Sequence, residues 1–298
     1  MIFNRPPTAE EITEGIDLSG KSVVITGVNS GLGAETMRVL SLRGAHVYGL
    51  ARTLEKAREA CAAVPGNTTA LECELGDWQS VRECAESIKA AGQPIDVLIA
   101  NAGIMAPKEL VLHHGLEAQF AINHMGHFVL VHHLLEQVRR AEGGRIVLVS
   151  SDAHKVLAAS KAGIEFDTLD GLRGNRPWRF YGQSKLANVL HAKALAARLE
   201  GGIATANALN PGVIRTGLGR EAGFANSVAY FLSRPISFTI PQGAATICYV
   251  ATSPELEGAN GQYFSKCRPG RYNRLADNVE LVERLWSWSE ETAREYIE

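Results

Sequence analysis

Ser22-Val23-Val24-Ile25-Thr26 runs straight into Gly27-Val28-Asn29-Ser30-Gly31-Leu32-Gly33, and a helical pattern of apolar residues follows at once over Gly33–Arg43. The first five residues are too few for a helix and are β-branched for the most part, so they read as a buried strand. Strand, glycine-rich turn and helix in succession let a diphosphate approach backbone N–H groups at a helix N-terminus. Gly27, Gly31 and Gly33 are spaced GxxxGxG rather than GxGxxG, so the turn takes its weight from the elements on either side. Asn29, Ser30 and Leu32 belong to the same candidate phosphate turn.

The rhythm recurs along the chain. Ala45–Leu50, Thr69–Cys73, Val97–Ala100, Arg145–Ser150 and Ala204–Leu209 are further short apolar runs bounded by Gly, Asn, Asp or Pro, and Gln262–Phe264 adds a last one. Leu54–Ala63, Ser80–Ala91, Leu116–Ala141 and Tyr181–Leu199 read as helices between them. Strands separated by helices pair in parallel, because a parallel crossover needs a dozen or more residues. The expected fold is α/β: a doubly wound Rossmann-type domain, with a seven-stranded, mostly parallel sheet flanked by helices on both faces and ligands at the strands' carboxyl ends. Residues 1–298 read as a single dinucleotide-binding domain, with an N-terminal extension at 1–19 and a C-terminal helix within 276–298. Leu281, Leu285 and Trp288 form one stripe of that helix, and packing accounts for Trp286 and Trp288. Two long segments, Asp152–Phe180 and Gly212–Thr239, follow strands and carry bulky apolar residues (Val156, Leu157, Trp178; Leu218, Phe224, Phe231). Loops of this length are often functional, which makes them candidate walls of an apolar substrate site.

Composition excludes several classes. A net charge of -2 gives no electrostatic reason to expect nucleic acid. No run of eighteen apolar residues and no secretory h-region occur, so neither a membrane nor export is expected. The 5 cysteines are odd in number and none are paired as CxxC, which argues for a reducing compartment, the cytoplasm. The 9 histidines lack carboxylate or cysteine companions at ligand spacing, so no metal is expected.

The chemistry-bearing residues follow the strands. In this fold an acid at the end of the second strand takes the ribose hydroxyls, whereas an arginine there accepts a 2′-phosphate. Here the strand ends Tyr48-Gly49-Leu50-Ala51-Arg52, which points to NADP, with NAD as the alternative. Asn101-Ala102-Gly103 follows the fourth strand with small residues suited to a backbone passing beside adenosine. Tyr181 and Lys185 sit four apart on a helix, and Tyr181 is the one tyrosine of 7 with lysine at that offset. A neighbouring ammonium favours phenolate, and moving a phenol from about 10 to about 7 takes roughly 4 kcal/mol. Such a phenol can give or take a carbonyl oxygen's proton near neutral pH. Ser150-Ser151 closes the fifth strand, where a hydroxyl can hydrogen-bond a substrate carbonyl. Asn123, a polar amide among apolar neighbours, needs partners if buried: it either holds a water linking Lys185 to solvent or caps a bend.

Taken together, Thr26-Gly27-x-x-x-Gly31-x-Gly33, Asn101-Ala102-Gly103, Asn123, Ser151, Tyr181-x-x-x-Lys185 and Pro211-Gly212 followed by Thr216 resemble a short-chain dehydrogenase/reductase of the non-extended type. They come in the family's order and cover roughly residues 20–265. Asn123-His124-x-Gly126-His127-Phe128, Glu165–Leu172 and Leu285-Trp286 resemble the retinol-dehydrogenase-like and WW-domain-oxidoreductase-like branch. The resemblance implies a tetrad: Tyr181 as acid/base, Ser151 (rather than Ser150) on the carbonyl oxygen, Lys185 on the nicotinamide ribose and Asn123 ordering a relay water. It also implies that Ile214 and Thr216 meet the carboxamide and that Arg52 holds the phosphate. Glu74-Leu75 departs from the family's usual Asp-Leu near adenine, with Asp77 as a competitor for that contact. The function expected is hydride transfer between NADP(H) and an apolar alcohol or carbonyl compound, with no nucleic-acid or membrane partner and homo-oligomer formation left open. A catalytically silent NADP-binding sensor or scaffold is the alternative; it has no need of Tyr, Lys, Ser and Asn together. A nucleotide-sugar epimerase or dehydratase uses the same Tyr/Lys pair but needs a longer C-terminal substrate domain.

Overall fold

Strand β1 (Ser22–Thr26) is buried along its whole length at the middle of a parallel sheet. A strand covered on both faces has no polar side to show, which explains its apolar centre Val23-Val24-Ile25. The computed structural model describes residues 5–158, 161–174, 176–214 and 237–298. It adds β2 (His46–Ala51), β3 (Thr68–Glu72), β4 (Val97–Ala100), a separate antiparallel hairpin of β5 (Leu112–His113) and β6 (Leu116–Glu117), then β7 (Arg145–Val149), β8 (Thr205–Asn210) and β9 (Tyr263–Ser265). The 7-stranded sheet runs β3-β2-β1-β4-β7-β8-β9 with every pairing parallel. Strand order reverses between β1 and β4, so a crevice opens outside their carboxyl ends.

Side chains alternate between two cores. Val23, Ile25, Ile99 and Val147 face the layer containing α1 (Ala9–Ile12), α2 (Gly31–Leu42), α3 (Leu54–Ala62) and the late helix Ile240–Thr252. Val24, Leu98, Ile146 and Leu148 face the other layer. That layer holds α4 (Trp78–Ala90), α5 (Ala118–Phe120), α6 (Gly126–Arg139), α8 (Pro177–Arg198) and the last helix, Val279–Ile297. Between β7 and α8 lies the short α7 (Ala153–Val156); the late and last helices are α9 and α10.

The structure refines several expectations. The helix expected over Leu116–Ala141 begins as strand β6, passes through α5 and a π-helical turn at Ala121–Met125, and becomes α6 only at Gly126. Gly126 is required there, because a Cβ would lie 2.4 Å from the Leu75 carbonyl oxygen. Helix α9 was not foreseen, although Thr239 and Gln242 form a capping box at its start. Segment 152–180 is partly regular, with α7, a 3-10 turn at Phe166–Thr168 and buried Ile164 and Leu169; Val156 stays exposed. Most of the Gly212–Thr239 segment, including Thr216, Leu218, Phe224 and Phe231, lies outside the described residues. In the N-terminal extension, Arg43 donates to the Glu10 carbonyl (2.8 Å), and Gln242 donates to the Pro6 carbonyl (3.2 Å), joining α1 to α2 and α9. On α10 the buried stripe is Leu281, Val282, Leu285, Trp286, Ser289 and Ala293; Trp286, not Trp288, is the deeply buried indole, and the Arg198 guanidinium lies 3.9 Å from its ring centre.

Candidate active site

The turn between β1 and α2 needs its glycines. Gly27 (φ 74) and Gly31 (φ 60) occupy the left-handed region that side chains disfavour. A Cβ on Gly33 would fall 2.1 Å from the Gly27 carbonyl oxygen and 2.7 Å from Asn101 Nδ2. A helix's first N–H groups need partners outside the helix. Thr53, Asp77, Thr239 and Asn278 supply side-chain caps to α3, α4, α9 and α10, whereas Ser30 supplies none to α2. Asn29 and Ser30 are exposed, so the start of α2 is an open, positive helix end suited to an anion. Leu32 and Ile214 converge on Gly243, where a Cβ would lie 2.8 Å and 2.3 Å from their methyls. The Pro211-Gly212-Val213-Ile214 segment is thereby carried to the base of α2, with Gly212 (φ 96) against the Phe238 ring.

Asn101-Ala102-Gly103 forms the facing wall. Thr26 Oγ1 accepts the N–H groups of Asn101 (3.0 Å) and Ala102 (2.9 Å), while Asn101 Nδ2 donates to the Thr26 carbonyl (2.8 Å). A Cβ on Gly103 would lie 2.9 Å from Asn123 Oδ1 and 3.4 Å from Lys185 Nζ, which places the wall directly on those two side chains. At the sheet's other side, Arg52 follows β2, is exposed, and has no ion pair among the described residues. Glu74 folds into its own turn, accepting the Gly76 N–H (3.0 Å), and Leu75 is buried. Asp77 caps α4 through the N–H groups of Gln79 and Ser80.

Ser150 and Ser151 have separate tasks. Ser150 Oγ donates to the Lys185 carbonyl (2.6 Å) and is buried, so its hydroxyl fastens β7 to α8. Ser151 Oγ accepts the Ala153 N–H (3.2 Å), which occupies a lone pair and leaves the hydroxyl hydrogen for another partner. Helix α8 starts at Pro177 and brings the Tyr181 phenol up to Ser151, whose hydroxyl favours the phenolate. Lys185 Nζ donates to the Val149 carbonyl (3.1 Å) and stands 5.8 Å from the Tyr181 ring centre. Asn123, in the π-helical turn, accepts the Ile104 N–H (2.8 Å) and donates to the Ile104 carbonyl (3.0 Å) and Ser184 Oγ (3.0 Å). Its amide is thus committed to bracing the wall.

The electrostatics differ from expectation at one point. Burial pushes the Tyr181 phenol above its ordinary value, and the Ser151 hydrogen bond only partly opposes this. Burial also pulls the Lys185 ammonium down to about 8. Both shifts disfavour charge, so the lowered phenol read from the Tyr181/Lys185 spacing is not a property of the protein's own groups. The lysine is one turn away but is turned to the Val149 carbonyl rather than to the phenol.

Sequence reasoning passed over other polar residues here. His127 bridges Thr26 and Asn123. His154 hydrogen-bonds the Ser151 carbonyl through Nδ1 and accepts the Asn273 N–H (3.1 Å) on Nε2, which ties the serine to the segment after β9. Asn188 donates to the same Val149 carbonyl as Lys185 (3.1 Å). Tyr263 donates to Asp152 (3.1 Å). Asn188, one turn beyond Lys185, and His127, four residues after Asn123, left positional traces in the sequence.

Among the described residues no group of three or more His, Cys, Asp or Glu is placed to hold a metal ion, and no helix is long and apolar enough to cross a membrane. Residues 21–225 match the family described as short chain dehydrogenase. Short-chain dehydrogenase TIC 32 B, chloroplastic, of Brassica napus is 38% identical, covering 96% of this chain and 93% of that protein. Retinol dehydrogenase 12 of Mus musculus is 36% identical (93% and 87%), and the WW domain-containing oxidoreductase of Homo sapiens 35% (99% and 73%). The resemblance to that branch read from residues 123–128 is borne out by these relatives. Among solved structures, an uncharacterized protein from Mycobacterium Paratuberculosis superposes with a TM-score of 0.77 at 31% identity over 95% of this chain and 97% of that one. An NAD(P) dependent gluconate 5-dehydrogenase from Beutenbergia cavernae with bound NADP superposes at 0.66, with 26% identity and coverage of 84% and 96%.

Proposed function

The chain belongs to the short-chain dehydrogenase family, and from that membership we propose that it transfers a hydride between NADP(H) and an apolar alcohol or carbonyl compound, with Tyr181 as its acid–base residue. The observation that carries this reading is the meeting of Ser151, Tyr181 and Lys185 beside the Asn101-Ala102-Gly103 wall, which packs on the glycine turn at the start of α2. The residues fit a dinucleotide: the turn's glycines and the start of α2 suit a diphosphate, and Arg52, without an ion pair among the described residues, suits a 2′-phosphate, as the NADP-holding relative encourages. Asn101, Ala102 and Gly103 would flank adenosine, Glu74 and Leu75 the adenine side, and Pro211, Gly212, Ile214 and Thr216 the carboxamide. When bound, the dinucleotide gives or takes the hydride and in oxidised form adds positive charge beside the phenol.

Ser151, with a lone pair occupied by the Ala153 N–H, donates its hydroxyl hydrogen to the substrate oxygen. Tyr181 gives that oxygen a proton in reduction and takes one in oxidation. Lys185, with a pKa of about 8, remains mostly protonated at neutral pH and would hold the nicotinamide ribose. Asn123 holds the Gly103-Ile104 wall through both atoms of its amide. We place residues 1–298 in one functional unit working in a reducing compartment such as the cytoplasm, in keeping with the 5 free cysteines.

The test is NADPH consumption by the purified protein against steroid, retinoid, aromatic and aliphatic carbonyl panels, with Tyr181→Phe alongside. Turnover should vanish in Tyr181→Phe while NADPH affinity is retained. Undiminished turnover in that variant, or a wild type that binds no pyridine nucleotide, overturns the reading.

A further inference from the structure

We propose that His127 is a positioning residue: held as the neutral Nδ1–H tautomer, it makes the Thr26 hydroxyl a donor and so locks Asn101 and Ala102 against the glycine turn. Its bearing on function rests on the reading that this cleft takes a pyridine dinucleotide.

The argument is one of donors and acceptors. His127 is fully buried on α6, with Nε2 2.8 Å from Thr26 Oγ1 and Nδ1 3.1 Å from the Asn123 carbonyl oxygen. A threonine hydroxyl has one hydrogen and two lone pairs. The N–H groups of Asn101, shared with the Ile99 carbonyl at 3.1 Å, and Ala102 occupy both lone pairs, at 3.0 and 2.9 Å, so the hydrogen points to Nε2 and that nitrogen is bare. A carbonyl can only accept, so Nδ1 carries the ring hydrogen. The two ends demand the same tautomer. An imidazolium would put a third donor on Thr26 Oγ1 and leave its hydrogen without a partner. Burial, with the Lys185 charge nearby, accordingly holds the ring neutral, pulling it down to about 4. The Asn123 carbonyl opposes this only in part, and the neighbouring rings of His124 and His191 are also pushed down by burial.

The hydroxyl so fixed joins two strands' carboxyl ends. Thr26 ends β1, Asn101 follows β4, and Asn101 Nδ2 returns to the Thr26 carbonyl at 2.8 Å. The other end of the ring steadies the carbonyl of Asn123, whose side chain brackets Ile104. One imidazole therefore sets both sides of Gly103, the residue packed on Lys185.

Three measurements test this. In unliganded wild type, nitrogen-15 histidine spectra should show His127 as neutral Nδ1–H from about pH 5 to about pH 8, where a free imidazole would titrate. An Nε2–H tautomer or titration in that window refutes the proposal, and needs no variant to fold. In His127→Phe the backbone amides of Asn101 and Ala102 should exchange faster without ligand; unchanged exchange refutes it. NADPH should bind about tenfold more weakly to His127→Phe, the scale of one lost buried hydrogen bond. Adding Thr26→Val should cost nothing beyond the worse single variant, because the ring acts through that hydroxyl; strictly additive losses would mean packing alone. If wild type binds no pyridine nucleotide, the functional reading falls, while tautomer and exchange still decide the role of His127.

Discussion

Lys185→Met should make the protein more stable and inactive at once. Lys185 is buried, donates only to the Val149 carbonyl, and has no carboxylate paired with it among the described residues. Its pKa falls from 10.5 to about 8 through burial, which at roughly 1.4 kcal/mol per unit amounts to about 3 kcal/mol against holding the ammonium in the folded state. Methionine keeps the buried stem and removes the charge. The Val149 carbonyl is not orphaned, because Asn188 Nδ2 still donates to it at 3.1 Å. The variant should therefore gain about 3 kcal/mol near neutral pH, a rise in Tm on the order of 6 °C.

The pH dependence gives the stricter check. A lysine depressed in the folded state penalises folding fully below about pH 8, and the penalty fades as pH rises toward 10.5, where the unfolded chain also loses the proton. Wild type should thus close most of the gap, from about 3 kcal/mol near pH 7 to about 1 kcal/mol near pH 9.5. Tyr181 and Cys248, both raised by burial, weaken the fold at high pH in both proteins. Urea unfolding of both proteins at the two pH values reads it directly. A variant less stable than wild type near neutral pH, or a gap that does not change with pH, refutes the reasoning.

Ser151→Ala should lower kcat by about two orders of magnitude, the scale of one lost donor to a reacting oxygen. Ser150→Ala should instead cost about 1 kcal/mol in urea unfolding by freeing the Lys185 carbonyl; steady-state kinetics and denaturation on both variants separate the two hydroxyls. Arg52→Ala should weaken NADP by about tenfold and NAD hardly at all, the expectation for one charge-assisted contact to a 2′-phosphate; equal losses in titrations of the two cofactors would refute the role. Gly33→Ala, whose methyl would meet the Gly27 carbonyl oxygen at 2.1 Å, should destabilise by roughly 1–3 kcal/mol and abolish NADPH binding, measured by unfolding and by cofactor fluorescence.

What the sequence revealed and what it hid divide along a physical line. Strands β1, β4 and β7 announce themselves because burial on both faces forces a run of β-branched residues, and the Gly27–Gly33 turn because backbone geometry there tolerates little else. The Tyr181/Lys185 pair was visible because it lies on one helix, where spacing is geometry. Helix α9 escaped because its apolar residues, buried nearly all round, carry no stripe; its capping box and Pro241 in the first turn were the available signs. The π-helical turn at Ala121–Met125 escaped because an added residue within a turn leaves no pattern of its own.

The polar interior is a different matter. Thr26, Asn101, Asn123 and His127 come from β1, the loop after β4, the π-helical turn and α6, and only the strand order β1-β4 sets them side by side. No periodicity joins positions 26, 101 and 127, so a sequence can list such residues but cannot pair them. Pairing, once seen, fixes more than contact. Two N–H donors on one hydroxyl determine where its hydrogen goes, which determines the histidine tautomer, which determines what the Asn123 carbonyl receives. A protonated His127 would break that sequence of assignments at Thr26, whose hydroxyl holds Asn101 and Ala102. Burial, more than the Lys185 charge, lowers the pKa of that ring, and the Thr26 and Asn123 contacts call for the same uncharged state.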